Sequence, residues 1–450
     1  MTDLDGQPDP NDDVQSTPSR GQSRESFSRW RICFLVIGVA AVACAGRWYW
    51  SIESGLEHGQ QAAARGHWNK ARDYLDRYLS WHPEDAAARL LIAEALVRGD
   101  VQAGAESVDR AIAHLARIDD DSPLAAKARL QQARLSLLIL QQPAAAEALL
   151  KRSLELETNS PDANILMWKL LDVTGRHIDS RDYFWRAYEV YVPSARPSLL
   201  RDWFLAEFYP ESANSSFHNA MGARAVGKLP ASISLLVILR ESEPEAHFLH
   251  AALASYYLDR GQPKSSLELL KETPDLAQAM TTPFFVSVLF QSLVDLGETE
   301  KAKTCFKQFP RRGATSYLYL RSKAMFHHYV QQDAAAAVAA YEEALSQWPA
   351  KFDWGLLTKQ SECLRKVGRT DEAEQVQERV TQLTTVVLTE DKTNVLRDKL
   401  RNLNDPDVAG ELAEVYTEFG LKREAVAWRE HQKKLLMSVP SLLPSSTSAK

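Results

Sequence analysis

The chain has 450 residues, of which 45% are hydrophobic and 25% are charged, as is typical of a globular protein rather than a disordered one. Its formal net charge is -6, and no run of Lys and Arg is interleaved with aromatic residues, which excludes the basic surface of a nucleic-acid-binding protein. The four cysteines form no CxxC motif, so a zinc ribbon and a thioredoxin-like redox pair are excluded. We expect Cys305 and Cys363 to be buried thiols, with a disulfide between them as the alternative.

The first fifty residues predict a disordered tail followed by a membrane helix. Residues 1–28 are rich in Asp, Ser, Pro, Gly and Gln, so they cannot bury enough apolar surface to fold. The uncharged run from Ile32 to Gly46 is extended by Trp30 and by the aromatic residues after Arg47 to about twenty residues, which is enough for one span. We therefore predict a transmembrane helix at residues 30–50.

The charges that flank this helix predict its orientation. Four arginines precede the run, whereas acidic residues follow it, namely Arg20, Arg24, Arg29 and Arg31 before it and Glu53 and Glu57 after it. The positive-inside rule then places the N-terminus in the cytoplasm and the rest of the chain on the exported, periplasmic or extracytoplasmic side. A cleaved signal peptide and a lipid-modified Cys44 are the alternatives, and both also export the C-terminal bulk.

From residue 52 onward, amphipathic helical patterns alternate with short polar turns, and no period-2 runs indicate strands. One spacing recurs: a glycine, a small residue five positions later, a bulky residue four positions after that, and then a proline. Gly261, Ser266, Leu270 and Pro274 are one example. The glycine suits a left-handed helix end, the small residue lets two helices approach closely, and the proline ends the second helix. A lone helix pair cannot cover its apolar face, so such pairs must stack.

The segment that carries Ala337, Tyr341, Ala344 and Pro349 resembles the second-helix signature of the tetratricopeptide repeat (TPR) family, although Gln332 replaces the expected glycine. This resemblance implies an all-α fold, a TPR-like right-handed helical solenoid of about eight or nine helix pairs, preceded by the one transmembrane helix.

The spacing divides the rest of the chain into four parts. We expect an N-terminal TPR array at residues 52–193 and a C-terminal TPR array at residues 243–438. Residues 194–242 lack the signature, and we interpret them as an irregular helical segment. Residues 439–450 are expected to form a disordered tail.

Motifs that carry chemistry are weak. The stretch from Gly222 to Lys228 resembles a phosphate-binding loop, but Leu229 stands where magnesium binding needs Ser or Thr. His247 and His250 share a helix face, on which they could join a metal site, although histidines on an ordinary helix surface are the simpler interpretation. We therefore predict that the protein is not an enzyme and has no cofactor.

The TPR resemblance implies that the first helix of each pair lines a groove that binds peptides or partner helices. The Lys/Asn clamp of the chaperone-binding members is missing at the corresponding positions. Eight other first-helix residues are predicted to bind a partner segment: Phe248, Ser255, Phe284, Ser287, Gln291, Tyr319, Phe326 and Tyr329. The alternative is that these rings pack between neighbouring helices as ordinary core.

The predicted function is a membrane-anchored TPR scaffold that mediates protein–protein interactions in envelope assembly or secretion support. Its expected partners are proteins or peptides, with the membrane contacted by the N-terminal helix and no nucleic acid bound. The alternatives are an enzyme or ligand-binding protein built on a solenoid, and a structural protein that associates with itself.

Overall fold

A computed structural model describes most of the chain after residue 52. The described residues are 53–99, 104–208, 231–310, 316–347, 349, 353–388 and 390–438, together with Val39, Cys44, Arg47, Trp48 and Trp50; the side chains at 231–232 and 386–394 lie outside the description. All regular secondary structure in these residues is helical, which confirms the predicted all-α class.

The chain divides into two compact units, Met1–Val101 and Gln102–Lys450. The first unit contains α1 (Gly55–Ala64), α2 (Trp68–Leu79) and α3 (Ala86–Arg98). Within it α1 and α2 form a packed pair, and α3 packs against α2. Ala71 and Leu75 of α2 are completely buried in this small core.

The second unit contains nineteen α-helices in the part of the chain that the structure describes. They are α4 (Ala105–Ala116), α5 (Ala125–Leu138), α6 (Pro143–Leu156), α7 (Pro161–Val173), α8 (His177–Val190), α9 (Arg196–Phe208), α10 (Ala231–Ser242), α11 (His247–Asp259), α12 (Pro263–Lys271), α13 (Leu276–Ala279), α14 (Pro283–Asp295), α15 (Thr299–Lys307), α16 (Tyr317–Met325), α17 (Ala334–Leu345), α18 (Trp354–Lys366), α19 (Thr370–Leu388), α20 (Glu390–Lys399), α21 (Pro406–Glu418) and α22 (Lys422–Ser438). Helix α16 continues as a short π-helical turn, Phe326–Val330.

Local chemistry at the helix starts explains where many of these helices begin. Aspartate or serine side chains accept a hydrogen bond from a free backbone N–H in the first turn, at Asp85, Ser316, Asp333, Asp353 and Asp405. Proline occupies the first helical position, where its missing N–H costs nothing, at Pro143, Pro161, Pro263, Pro283 and Pro406.

The second unit is built from packed helix pairs, as the repeated spacing predicts. The pairs are α5–α6, α7–α8, α11–α12, α14–α15, α16–α17, α18–α19 and α21–α22. The turn between the two helices of each pair contains a residue with positive φ, a glycine in five cases and Gln141 or Gln332 in the others. Gln332 adopts a φ of 56°, so the chain makes the left-handed turn even where glycine is replaced.

The signature residues of the segment Asp333–Pro349 pack as predicted. Ala337, Tyr341 and Ala344 of α17 are fully buried. They belong to one hydrophobic cluster with residues of α16 and α18, among them Leu320 and Leu364. The small side chains thus allow α17 to lie close to its neighbours, and the tyrosine ring fills the space between them.

The C-terminal pair packs against helices that precede it by more than two hundred residues. Aromatic side chains of α8 and α9 share one core with α21 and α22, where the ring of Phe204 lies 5.8 Å from that of Tyr416. Arg181 of α8 pairs with the fully buried Glu424 of α22 at 2.9 Å. Helix α9 and helix α10 fall in the segment that the sequence predicts as irregular, and residues 209–230 between them lie outside the described residues.

The predicted localisation as a single-pass membrane protein is wrong for the structure described. No helix among the described residues has the length and apolar character that crossing a membrane requires. Most of the predicted span at residues 30–50, like the predicted tails at 1–28 and 439–450, lies outside those residues.

Candidate binding cavity

The turn between α7 and α8 lies among the first helices of the C-terminal pairs. Gly175 forms this turn with a φ of +73°, and a Cβ placed on it would lie 3.5 Å from Phe284 Cζ and 3.8 Å from Ala252 Cβ. Phe284 belongs to α14 and Ala252 to α11. Glycine therefore gives the turn both its left-handed backbone and its close approach to two repeats.

Arg176 attaches the same turn to two further helices. Its guanidinium lies 4.2 Å from the centre of the Phe248 ring on α11, and its Nη2 lies 2.7 Å from Oε2 of Glu147 on α6. The Arg176 and Glu147 side chains are only 9% and 11% exposed, so the ion pair is shielded from water. A cation that is held over an aromatic face and paired with a carboxylate keeps a single position.

A cavity of about 670 Å³ opens beside this turn. Its walls come from α6, from the start of α8, from α13, and from the N-terminal ends of α11, α14 and α16. The lining residues are Ala144, Glu147, Ala148, Lys151, Arg176, Ile178, Asp179, His247, Phe248, Gln278, Thr282, Pro283, Phe284, Ser316 and Leu318. Apolar side chains thus share the wall with charged and hydrogen-bonding ones, the composition expected of a binding cavity.

Four charged side chains line the cavity, and three of them form one chain of ion pairs. Glu147 pairs through Oε2 with Arg176 and through Oε1 with Lys151, each at 2.7 Å. Burial raises the pKa of Glu147, but the Arg176 charge and the hydrogen bonds from Arg176 and Lys151 outweigh it and lower the pKa overall. The fourth side chain, Asp179, has no ion-pair or hydrogen-bond partner among the described residues.

In the other two titratable groups of the wall, Asp179 and His247, the surroundings shift the pKa in the direction that favours the neutral form. Burial raises the pKa of Asp179 above its usual value, although the Arg176 charge opposes the shift. Burial and then the Arg176 charge lower the pKa of His247, whose Nε2 lies 2.9 Å from Thr282 Oγ1. At neutral pH the imidazole of His247 is therefore uncharged.

The eight predicted binding residues do not form one exposed groove. Phe248 and Phe284 line the cavity but are mostly buried, because Arg176 and Gly175 cover them. Tyr319 and Phe326 both stack with Phe306, with ring centres 5.7 and 4.5 Å away. These two rings therefore lie in a separate aromatic cluster.

The polar members of the predicted set occupy other surroundings. Ser287 is buried, with its Oγ 3.4 Å from Ser322 Oγ, and Gln291 accepts a hydrogen bond of 2.8 Å from Arg321. Ser255 is half-buried, and Tyr329 is 38% exposed. Partner binding by the eight residues stays a prediction.

His247 and His250, which the sequence analysis considered as metal ligands, each lie within hydrogen-bond distance of another group of the protein. His250 is buried, with Nε2 2.9 Å from the Pro244 carbonyl oxygen, whereas the Glu243 carboxylate accepts hydrogen bonds from the N–H groups of Ala144 and Ala145 at 2.5 and 3.2 Å. No group of three or more His, Cys, Asp or Glu side chains in the described ranges could hold a metal ion. The segment from Gly222 to Leu229 lies outside those ranges.

Both internal cysteines are free and buried, so the alternative of a disulfide between them is wrong. Burial raises the pKa of the Cys305 thiol to about 12 and that of the Cys363 thiol to about 11. Thiols of such high pKa react slowly as nucleophiles.

Comparison with protein families agrees with the helix pairs. A family model described as tetratricopeptide repeat matches residues 56–123 and 288–351, and the described residues of both stretches form helices and turns. Both matched stretches are therefore tetratricopeptide repeats, which confirms the predicted resemblance to the TPR family. Comparison with curated proteins gives no significant match.

Comparison with solved structures gives matches of low sequence identity and low TM-score. The APC/C hetero-tetramer Cut9–Hcn1 matches with 14% identity over 92% of each chain and a TM-score of 0.38. Yeast Tom70 matches with 12% identity over 86% of this chain and 96% of its own, at a TM-score of 0.29. The human IFIT1 dimer with PPP-AAAA matches with 14% identity over 84% and 81% of the two chains, at a TM-score of 0.29.

Sequence reasoning missed most of the cavity residues, among them Glu147, Arg176, Asp179 and Leu318. None of these four occupies a signature position of the repeat, and they come from α6, from the α7–α8 turn, from α8 and from α16. Gly175 fits the recurring spacing with Ser180 and Phe184, and this signal marks a turn but not the helices against which the turn lies.

Proposed function

We propose that this TPR protein is a scaffold that binds a segment of another protein in the cavity beside the α7–α8 turn. The TPR fold itself supports a role in protein–protein interaction. The observation that carries the proposal is the cavity of about 670 Å³, whose walls combine apolar side chains with hydrogen-bonding and charged ones.

The position of the cavity supports the proposal that its ligand is a polypeptide segment of a partner protein. Its wall is shared by the N-terminal ends of α11, α14 and α16, which belong to three successive helix pairs. A ligand in the cavity therefore contacts several repeats at once, as an extended or helical segment does on a helical-repeat surface. The expected role in envelope assembly or secretion depended on the membrane anchor and is not part of this proposal.

The rigid wall of the cavity also supports binding. Arg176 and Glu147 hold the turn against α6 and α11, so the cavity exists before a ligand arrives. A preformed site avoids part of the entropy cost of ordering loops on binding.

The test is a peptide selection combined with a variant that fills the cavity. A random dodecapeptide display library is panned on the full chain, and the selected peptide is labelled with fluorescein and titrated by anisotropy. Ala148 lines the cavity, so Ala148→Trp should weaken binding at least roughly tenfold, a loss of about 1.4 kcal/mol. Glu268→Trp places the same side chain on an exposed site of α12 outside the cavity and should leave the affinity unchanged.

Equal affinity of the wild type and Ala148→Trp, with unchanged melting temperatures, would mean that the peptide binds elsewhere. The proposal would also be contradicted if the selection yielded no specific binder, that is, no labelled peptide that its own unlabelled form displaces.

A further inference from the structure

The charges and apolar side chains of the cavity indicate the chemistry of the partner, given the proposed function. We propose that the bound segment carries a Lys or Arg side chain next to a bulky apolar one. The cationic group would lie at Asp179, and the apolar side chain against Ile178, Pro283 and Leu318, which are half-buried in the wall.

Among the described residues, Asp179 is the only charged side chain of the wall without an ion-pair partner. Arg176 already has Glu147 on one side and the face of Phe248 on the other. Lys151 pairs with the other oxygen of Glu147 and extends into solvent, with 58% of its side chain exposed. Asp179 faces the cavity without such a partner in the described part of the chain.

The surroundings of Asp179 disfavour its negative charge as a whole. Burial and the nearby carboxylates of Glu147 and Asp182 raise its pKa by more than Arg176 and Lys151 lower it. A cationic ligand group within ion-pair distance would stabilise the ionised carboxylate of Asp179. Such a ligand would therefore bind more tightly than one with a neutral group at the same place. An anionic ligand would instead add to the repulsion at this carboxylate.

The apolar part of the wall lines the same cavity as Asp179. Ile178 precedes it in α8, and Ile178 and Leu318 line the same cavity as Phe248 and Phe284. Pro283 and Ala144 add further apolar surface. An aliphatic or aromatic side chain can therefore be removed from water here while its cationic neighbour reaches the carboxylate.

The test uses three N-acetylated dipeptide amides, Phe-Arg, Phe-norleucine and Phe-Glu, whose dissociation constants for the full chain are measured by saturation-transfer NMR. We expect Phe-Arg to bind roughly five to ten times more tightly than Phe-norleucine, and Phe-Glu to bind most weakly. Asp179→Asn should abolish the difference between Phe-Arg and Phe-norleucine, whereas Asp179→Glu should retain it. Glu268→Gln, which neutralises an exposed carboxylate of α12 outside the cavity, is the matched control.

The outcomes separate this inference from the proposed function. If all three dipeptides bind equally, or Phe-Glu binds best, and Ala148→Trp still abolishes binding, the cavity binds peptides but the preference for a cation is wrong. If Ala148→Trp changes no affinity, the proposed function fails as well. A pH series on the wild type provides a second measurement: the advantage of Phe-Arg must shrink as the pH falls and Asp179 takes up a proton, and a constant ratio would contradict the role of Asp179.

Discussion

Replacing Arg176 with methionine tests whether the α7–α8 turn is held in place by its ion pair. Removing one partner of a buried ion pair costs about 3–5 kcal/mol, because the other charge stays buried. Glu147 would keep Lys151 at 2.7 Å, so the cost should be at the lower end, about 3 kcal/mol. Loss of the cation over Phe248 adds about 1 kcal/mol.

Native-state hydrogen exchange with mass spectrometry is the assay, since helical-repeat proteins can unfold in more than one step. A local loss of about 4 kcal/mol in total should speed amide exchange in α7, α8 and α11 by roughly five hundredfold to a thousandfold, because every 1.4 kcal/mol changes the opening equilibrium tenfold. The double variant Glu147→Leu/Arg176→Met removes both charges and should return to within about 1 kcal/mol of the wild type.

Arg401→Met is the matched control, because Arg401 is 87% exposed and its ion pair with Asp398 is a surface contact of 3.8 Å. Exchange in α7 and α8 should be the same as in the wild type. An increase of less than about tenfold in Arg176→Met, or a double variant as unstable as the single one, would refute the reasoning.

Three further predictions concern the core and the turns. Burial, and then the Glu424 charge, hold the pKa of Glu207 well above the usual value of 4.5, so the folded state loses stability as the pH rises from about 4.5 towards the folded pKa. Glu207→Gln should therefore melt at the same temperature as the wild type near pH 4.5 and higher at pH 8, and parallel pH profiles would contradict this. Ala337 is fully buried whereas Ala339 is exposed, so Ala337→Leu should cost about 1–3 kcal/mol in urea unfolding and Ala339→Leu close to nothing. Gly66 has a φ of +74° and open space around it, so Gly66→Ala should cost about 1–2 kcal/mol from its backbone alone, and a neutral effect on the melting temperature would refute that.

The helix pairs could be predicted from the sequence because their packing is local. Ala337 and Tyr341 lie one turn apart, and their sizes reflect the distance between α17 and its immediate neighbours. Gln332 shows that the pattern tolerates a lost glycine, since the chain still turns at a positive φ. The pairs are thus predicted by residues that lie within about forty positions of one another.

The cavity could not be predicted in this way, because its residues are distant in the sequence. Glu147 and Leu318 meet through the α7–α8 turn, and no repeat pattern states which helices that turn touches. The rings of Phe248 and Phe284 were placed correctly on first helices, but Arg176 and Gly175 cover them. Whether a first-helix ring faces a partner or its own chain depends on this long-range contact.

The membrane prediction had a different weakness. It rested on the apolar composition of residues 30–50 and on the charges beside them, without any packing partner to test it. The structure shows no membrane-spanning helix in the ranges that it describes, and the localisation derived from that segment is corrected accordingly.

The most direct test of the account is to map where a bound segment lies. The selected dodecapeptide is synthesised with a photo-reactive diazirine on its bulkiest apolar residue, irradiated with the full chain, and the cross-link is located by mass spectrometry. We predict cross-links to the starts of α8, α14 and α16, at Ile178, Pro283 or Leu318, and their loss in Ala148→Trp. Cross-links confined to helices that do not line the cavity would contradict the assignment of this cavity as the binding site.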